Sequence, residues 1–429
     1  MNKSAIFHLS KTNYSYAIDN NNINVRIRLG KDDFDKVNII FGDKYKWHMH
    51  EKKEMTNILS DFMYDYYESN LNSDTKRVAY FFELIKNNKT YYFTELGFHE
   101  NKDFLDDLHS CFFQYPFINE IDIHTKPSWI ENAIFYQIFP DRFYNGDSTN
   151  DPENVESWGS VPKHDNFMGG DIEGIRSKIP YFKELGINVI YLTPIFKSNS
   201  NHKYDIIDYY EIDTAFGTKD EFKRLVNELH SNNIKIVLDA VFNHSGIDFF
   251  AFKDLCEKGE KSKYKDWFHI KKLPIDIEFI LSKFKTTKDW KNWYLNKNKE
   301  DIRTYEMFAF YPYMPKLKTE NQDVTNYLIN VAKYWIDEYK IDGWRLDVAN
   351  EIDHNFWRKF RKEIKKSNSE VVIIGEIWHN PEVWLRGDQF DSTMNYPLMN
   401  IIKRYFAIEL DTKEEFIYKI NELLIRNTD

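Results

Sequence analysis

Three apolar runs in this chain each end on an acid. Val237-Leu238-Asp239-Ala240 leads into Asn243-His244, Gly343-Trp344-Arg345-Leu346-Asp347 carries an Arg two residues before its Asp, and Val372-Ile373-Ile374-Gly375 ends on Glu376. Alternate side chains of a strand point the same way, so Arg345 and Asp347 share a face. A guanidinium beside a carboxylate favours its ionised form, which a carboxylate nucleophile requires. A second carboxyl group on a neighbouring strand could then serve as general acid and base. An isolated Arg-x-Asp also fits a structural ion pair at a strand end. Three acid-tipped strands in succession argue for a gathered site instead, as at the C-terminal ends of barrel strands.

The segments between these runs are of the kind that position such strands. Tyr327 to Tyr339 places Leu328, Val331, Trp335 and Ile336 on one helical face, and Asp220 to Ser231 does so with Phe222, Leu225, Val226 and Leu229. Ala133 to Pro140 and Ile187 to Pro194 are further buried-type strands, and Gly169-Gly170-Asp171 opens a helix running towards Leu185. The first part of the chain has a different texture. Ile23, Val25, Ile27 and Leu29 alternate with polar residues as in a half-buried strand, Val37 to Phe41 is a second strand, and Lys86-Asn87-Asn88-Lys89 is a hairpin turn between two more. Short strands with polar turns indicate a β-sandwich.

The three acid-tipped stretches, in this order, resemble the first three sequence signatures of the α-amylase superfamily, glycoside hydrolase family 13. Pro140-Asp141-Arg142-Phe143 and Met394-Asn395-Tyr396-Pro397 extend the resemblance. Met314-Pro315-Lys316-Leu317 is similar to a hallmark of its neopullulanase, cyclomaltodextrinase and maltogenic amylase subgroup. The resemblance implies a retaining hydrolase of α-1,4 glucosidic bonds, with α-1,6 bonds an open alternative, in maltodextrins, cyclodextrins or pullulan. Asp347 would be the nucleophile, Glu376 the acid/base with a raised pKa, and Arg345 their cationic neighbour. The two carboxyl groups would lie ~5–5.5 Å apart. It further implies substrate contacts from His202, Tyr204, Asp239 (through Arg345), His244 and Trp378, the last as a sugar platform on the same side as Glu376 if its strand continues. A buried neutral histidine is the competing expectation for His244, and core packing for Trp47, Tyr91 and Tyr92, which could otherwise stack on sugars.

The loop Asn145-Gly146-Asp147-Ser148-Thr149-Asn150-Asp151 is crowded with oxygen donors suited to a hard cation, although on the residues alone an ordinary Asx-rich turn with Asp171 as a helix N-cap is the better fit. The resemblance implies structural calcium held by Asn145, Asp147, Asn150, Asp151, Gly169 and Asp171. It also implies a homodimer formed through the N-terminal domain.

The family's third carboxylate, in a His-Asp pair on a seventh strand, has no counterpart between Asn395 and Asp429. The expected fold is therefore an α/β (β/α)8-type TIM barrel, incomplete at about six strands, preceded by an all-β sandwich. Residues 1–124 would form the carbohydrate-binding-type sandwich. Residues 125–429 would form the partial catalytic barrel with an insert at about 245–300, and the family's C-terminal β-domain would be absent. That truncation leaves a second expectation open, an inactive scaffold that binds oligosaccharide or a partner without turnover.

Composition narrows the remaining classes. A formal net charge of −10 argues against a nucleic-acid partner, and 42% hydrophobic residues over 429 support a large folded core. The start has no apolar stretch of signal-peptide length, and no segment approaches a membrane span. Cys111 and Cys256 make no disulfide framework, so a reducing, cytoplasmic setting is expected.

Overall fold

The computed structural model describes residues 1–103, 111–157, 159–283 and 303–426. The chain divides into two compact units: residues 1–125 with 377–389 and 394–429, and residues 126–376 with 390–393.

The first unit is built on two antiparallel sheets. One has the order β1 (Ser15–Ala17), β2 (Asn22–Gly30), β6 (Tyr64–Asn72), β5 (Thr56–Ser60). The other runs β4 (Glu51–Glu54), β3 (Lys36–Gly42), β7 (Val78–Lys86), β8 (Lys89–Thr94), β9 (Gly97–His99), with β10 (Phe113–Tyr115) beside β7. Ile23, Val25, Ile27 and Leu29 meet Val37, Ile39, Tyr80, Phe82 and Leu84 in one core, as the period-2 pattern predicts. The β7–β8 hairpin closes through Asn87 and Asn88, both at positive φ (51° and 63°), the backbone of a tight primed turn.

The other face of β2 is buried too, which alternation alone does not predict. The helix Lys413–Arg426 lies against it: Tyr66 donates to Glu422 at 2.6 Å, and Asn13 and Arg26 donate to the Ile425 carbonyl at 2.9 and 3.2 Å. A guanidinium at the last carbonyls of a helix satisfies orphan acceptors and complements the helix dipole. Trp47 packs on Phe81 and Phe112, Tyr92 is buried, and Tyr91 stacks on Phe98, so the three aromatics serve packing.

The second unit carries six parallel strands that neighbour one another in chain order: β11 (Phe135–Ile138), β12 (Val189–Leu192), β15 (Lys235–Ala240), β16 (Gly343–Leu346), β17 (Val372–Gly375) and β18 (Ser392–Thr393). A small hairpin, β13 (Phe196–Ser198) with β14 (Ile206–Ile212), stands apart from the sheet. Among the described residues β11 and β18 each pair on one side only, so this is an incomplete TIM-type barrel that follows an antiparallel β domain in the chain. Its inner strands β12 and β17 are nearly continuous apolar runs, as parallel strands covered on both faces must be.

The helices between them begin and end on legible signals. Thr218 and Glu221 form a capping box on Lys219–Ser231, and Asn321 caps Gln322–Tyr339, which closes on Lys340 in the left-handed conformation. The single helix expected from Asp171 towards Leu185 is instead two, Ile172–Ser177 and Ile179–Glu184. Pro180 removes a backbone donor and its ring crowds the preceding turn, so the ladder restarts there.

Of the insert expected at about 245–300, residues 284–300 lie outside the described residues. Its return limb is a strap along the end of β15: Ser245 donates to Pro315 O at 3.1 Å and Leu317 to Asn243 O at 2.9 Å. Lys316 ties the strap down, donating to Asn243 Oδ1 at 2.6 Å and Glu351 Oε2 at 2.8 Å. No helix among the described residues is long and apolar enough to cross a membrane.

Candidate active site

Strand register assembles the acids. Asp239 on β15 pairs directly with Arg345 on β16, and Leu346 pairs with Gly375 on β17. Asp347 and Glu376 each follow their strand by one residue and extend its ladder, donating to Ala240 O at 3.1 Å and Leu346 O at 2.9 Å. The result is one guanidinium among three carboxylates. Arg345 Nη1 lies 2.9 Å from Asp239 Oδ2 and 2.8 Å from Asp347 Oδ1, and Nη2 lies 2.8 Å from Glu376 Oε1. All four residues are buried.

Three negative charges around one positive charge, away from water, cannot all persist at low cost. Asp347 is pushed well above the usual carboxylate range, first by burial, then by Asp239 and Glu376, with Arg345 opposing. Asp239 is raised as well, again by burial, against Arg345 and hydrogen bonds from Tyr191 and Tyr204. The simple expectation that Arg345 keeps Asp347 ionised is therefore corrected: desolvation and like charge outweigh one shared cation. Protons belong to the cluster as a whole.

Two groups in this cluster were not foreseen. Tyr191, on β12, donates to Asp239 Oδ2 at 2.5 Å. Its signal was a lone hydroxyl inside the apolar run of a strand. Val348 sits at φ 47°, ψ 40°, and its N–H donates to Glu376 Oε2 at 2.9 Å. A β-branched residue in the left-handed region is strained, and here the strain aims a backbone donor at the acid. Nothing in the sequence marks it.

Tyr204 joins the cluster through a 3.1 Å bond to Asp239 Oδ2. His202 lies beside it, accepting the Tyr204 N–H at Nδ1 (3.0 Å), and burial lowers its pKa. That bond requires an unprotonated Nδ1, so the ring is neutral with its proton on Nε2. His244 is fully buried, stacked on Phe308 with centroids 4.8 Å apart, and burial with Lys316 nearby lowers its pKa to about 3. In this arrangement it has the character of a neutral core histidine. Trp378 does not continue β17, which ends at Gly375; it belongs to the first unit, is 64% exposed, and lies 5.9 Å from Tyr396.

The oxygen-rich loop is partly a cradle. Asn145 donates to Asp151 at 2.7 Å, and a Cβ on Gly169 would fall 2.5 and 2.6 Å from those two side chains. Asn150 Oδ1 is buried without a hydrogen-bond partner. These four residues fit a hard cation. Asp171 is used differently: as N-cap it accepts from Gly174 N at 2.6 Å, and it also accepts from Gly146 N and Asp147 N. Asp147 turns to Thr149. Among the described residues, no group of three or more His, Cys, Asp or Glu side chains could hold a metal ion, so a cation here would combine the single Asp151 carboxylate with amide and carbonyl oxygens.

Comparison with known proteins agrees with this architecture. Residues 137–426 match the alpha amylase catalytic domain, and residues 1–119 match the alpha amylase N-terminal ig-like domain. A cyclomaltodextrinase of Thermoanaerobacter pseudethanolicus is 46% identical over 431 residues, covering 100% of this chain and 71% of that protein. A cyclomaltodextrinase of a Bacillus species is 44% identical over 426 residues, covering 98% and 71%. A solved cyclomaltodextrinase structure superposes with a TM-score of 0.89 at 43% identity, covering 99% of this chain and 69% of that one. The chain belongs to the α-amylase family, glycoside hydrolase family 13, with that family's N-terminal domain ahead of its catalytic barrel and cyclomaltodextrinases among its relatives.

Proposed function

We propose that this chain is a retaining α-glucan hydrolase acting on α-1,4 glucosidic bonds of maltodextrins, cyclodextrins or pullulan, with α-1,6 bonds an open alternative. The carrying observation is the bridge made by Arg345, which draws Asp347 and Glu376 to one guanidinium at adjacent strand ends. Two carboxyl groups in such proximity suit a double displacement. Asp347 would attack the anomeric carbon while Glu376 protonates the leaving oxygen, giving a glycosyl ester on Asp347; water would then attack the same carbon and displace the Asp347 carboxylate as Glu376 takes the water's proton. The reaction requires the cluster's proton on Glu376, with Arg345 turned to Asp239 and Asp347. Tyr204 and His202 would line the sugar nearest the cleaved bond.

Asn145, Asn150, Asp151 and the Gly169 carbonyl would hold a structural calcium ion, with Asp147 and Asp171 ordering the loop around it. Such an ion would tie the loop to the helix that starts at Ile172. Two cysteines, Cys111 and Cys256, that make no disulfide framework suit a cytoplasmic protein, and pairing through residues 1–124, a carbohydrate-binding-type domain, would give a homodimer. Residues 125–429 would be the partial catalytic domain.

One observation favours a second reading, a scaffold that binds oligosaccharide without turnover. Both Glu376 oxygens face donors, Arg345 Nη2 and Val348 N–H, an arrangement for an acceptor rather than a proton donor. Release of glucose and maltose from β-cyclodextrin and maltotriose, by the chain and by Asp347→Asn, separates the two. Release by the parent alone supports the hydrolase; no release, with binding seen by calorimetry, supports the scaffold.

A further inference from the structure

Between His202 and Tyr204 stands a lysine that neither assignment uses. Lys203 is 3% exposed, and its backbone is left-handed, with φ 60°. Its ammonium lies 2.9 Å from Asp213 Oδ2 and donates to Ser198 O at 3.2 Å, with the Phe216 ring 5.2 Å away. Asp213 is buried as well and has its own ties: it accepts Ser198 N–H at 2.9 Å and Ala215 N–H at 3.0 Å. The ion pair therefore fastens the middle of the tripeptide to both ends of the β13–β14 hairpin. The flanking residues emerge on the site side, Tyr204 to Asp239 and His202 to the Tyr204 amide.

We infer that Lys203 is a positioning residue: its buried ion pair with Asp213 holds the left-handed turn from which Tyr204 reaches Asp239. The inference rests on the hydrolase reading for its catalytic consequence only. A long side chain in a left-handed conformation persists where surrounding contacts over-determine it; Ser200 Oγ braces the turn locally by accepting the Lys203 N–H at 3.0 Å, and the ammonium group supplies the charge-assisted contacts that tie it to the hairpin. A methionine at this position would fill similar space, leave Asp213 buried without its cation, and free the turn to relax. Tyr204 would then lose its aim, and displacement of a positioning group by about 1 Å can cost about 100-fold in rate.

The test uses the full chain with two variants, Lys203→Met and the charge-neutral pair Lys203→Met with Asp213→Asn. Turnover of maltotriose, thermal midpoint, and amide hydrogen exchange of residues 198–205 are measured for each. The single variant is expected to lose stability and to lower kcat by about 10- to 100-fold with a smaller change in KM. The neutral pair is expected to recover the thermal midpoint, because no unpaired charge stays buried, but not kcat. A kcat that recovers with stability, or stays within twofold in both variants, overturns the inference. Should the parent show no turnover, the hydrolase reading fails on its own and exchange decides. Faster exchange at Tyr204 in both variants supports the positioning role, and parent-like exchange refutes it.

Discussion

Replacing Arg345 with methionine gives the most direct measure of how the carboxylate cluster is held. The substitution keeps much of the side-chain volume and removes the one cation shared by Asp239, Asp347 and Glu376. Removing one partner of a buried ion pair typically costs about 3–5 kcal/mol, because the remaining charge stays desolvated. For a unit of this size, about 2–4 °C of thermal midpoint per kcal/mol gives a loss of about 6–20 °C at neutral pH. The loss must also depend on pH. Burial raises Asp239 and Asp347 above the usual value of 3.8, and Arg345 is what pulls both back down. An acid raised in the folded state contributes stability that is intact below its unfolded pKa and is lost as pH rises through its folded pKa. Without Arg345 these folded values climb further, so the deficit should be small near pH 4–5 and larger at pH 7.5. Thermal scans of parent and variant at both pH values provide the assay, and adding Asp347→Asn to the variant should restore part of the neutral-pH loss. An equal loss at both pH values, or a loss under about 1 kcal/mol at pH 7.5, would refute the buried-charge argument.

Three further outcomes are expected. Asp347→Asn should lower kcat on maltotriose by at least about 1,000-fold while the protein stays folded, as judged by its melting transition; residual activity near the parent's would remove Asp347 from the nucleophile's role. Gly170→Ala should cost about 1–3 kcal/mol or more, because its Cβ would fall 2.0 Å from the Pro140 carbonyl oxygen, and chemical denaturation would read the loss. Millimolar calcium should raise the thermal midpoint, and Asp151→Ala should abolish that rise; an equal rise in the variant would place the ion elsewhere.

How far the sequence carries depends on whether the cause is local. Arg345 and Asp347 on one face follows from strand periodicity, and the two-asparagine turn at 87–88 follows from which residues tolerate positive φ. Pro180 is legible as a helix break, although the apolar pattern around it continues without a gap. The left-handed Val348, the Tyr191 hydroxyl on Asp239, and the buried outer face of β2 have no local cause. Each exists because a distant segment supplies the partner: β17 for Val348, β15 for Tyr191, the helix Lys413–Arg426 for β2. The fate of His244 is of the same kind, since Phe308, more than sixty positions later, decides its environment.

The same distinction bears on what an open sheet can hold in place. Asp239, Arg345, Asp347 and Glu376 come from β15, β16 and β17, three strands flanked on either side within the sheet by β12 and β18. Their mutual geometry is set by two registers, Asp239 against Arg345 and Leu346 against Gly375, and by the ladder bonds that continue through Asp347 and Glu376. None of these bonds involves the outer edge of β11 or β18. Closing the sheet would change which groups face the cluster from across the barrel and how much water reaches it. It would not be needed to bring the four side chains together. The cluster is therefore expected to survive perturbation of β11, such as a charged residue at Phe135, with its pH-dependent stability intact, and Arg345→Met should have the same effect in that background. Loss of the Arg345 effect there would mean that the edges, and not the register, hold the acids in place.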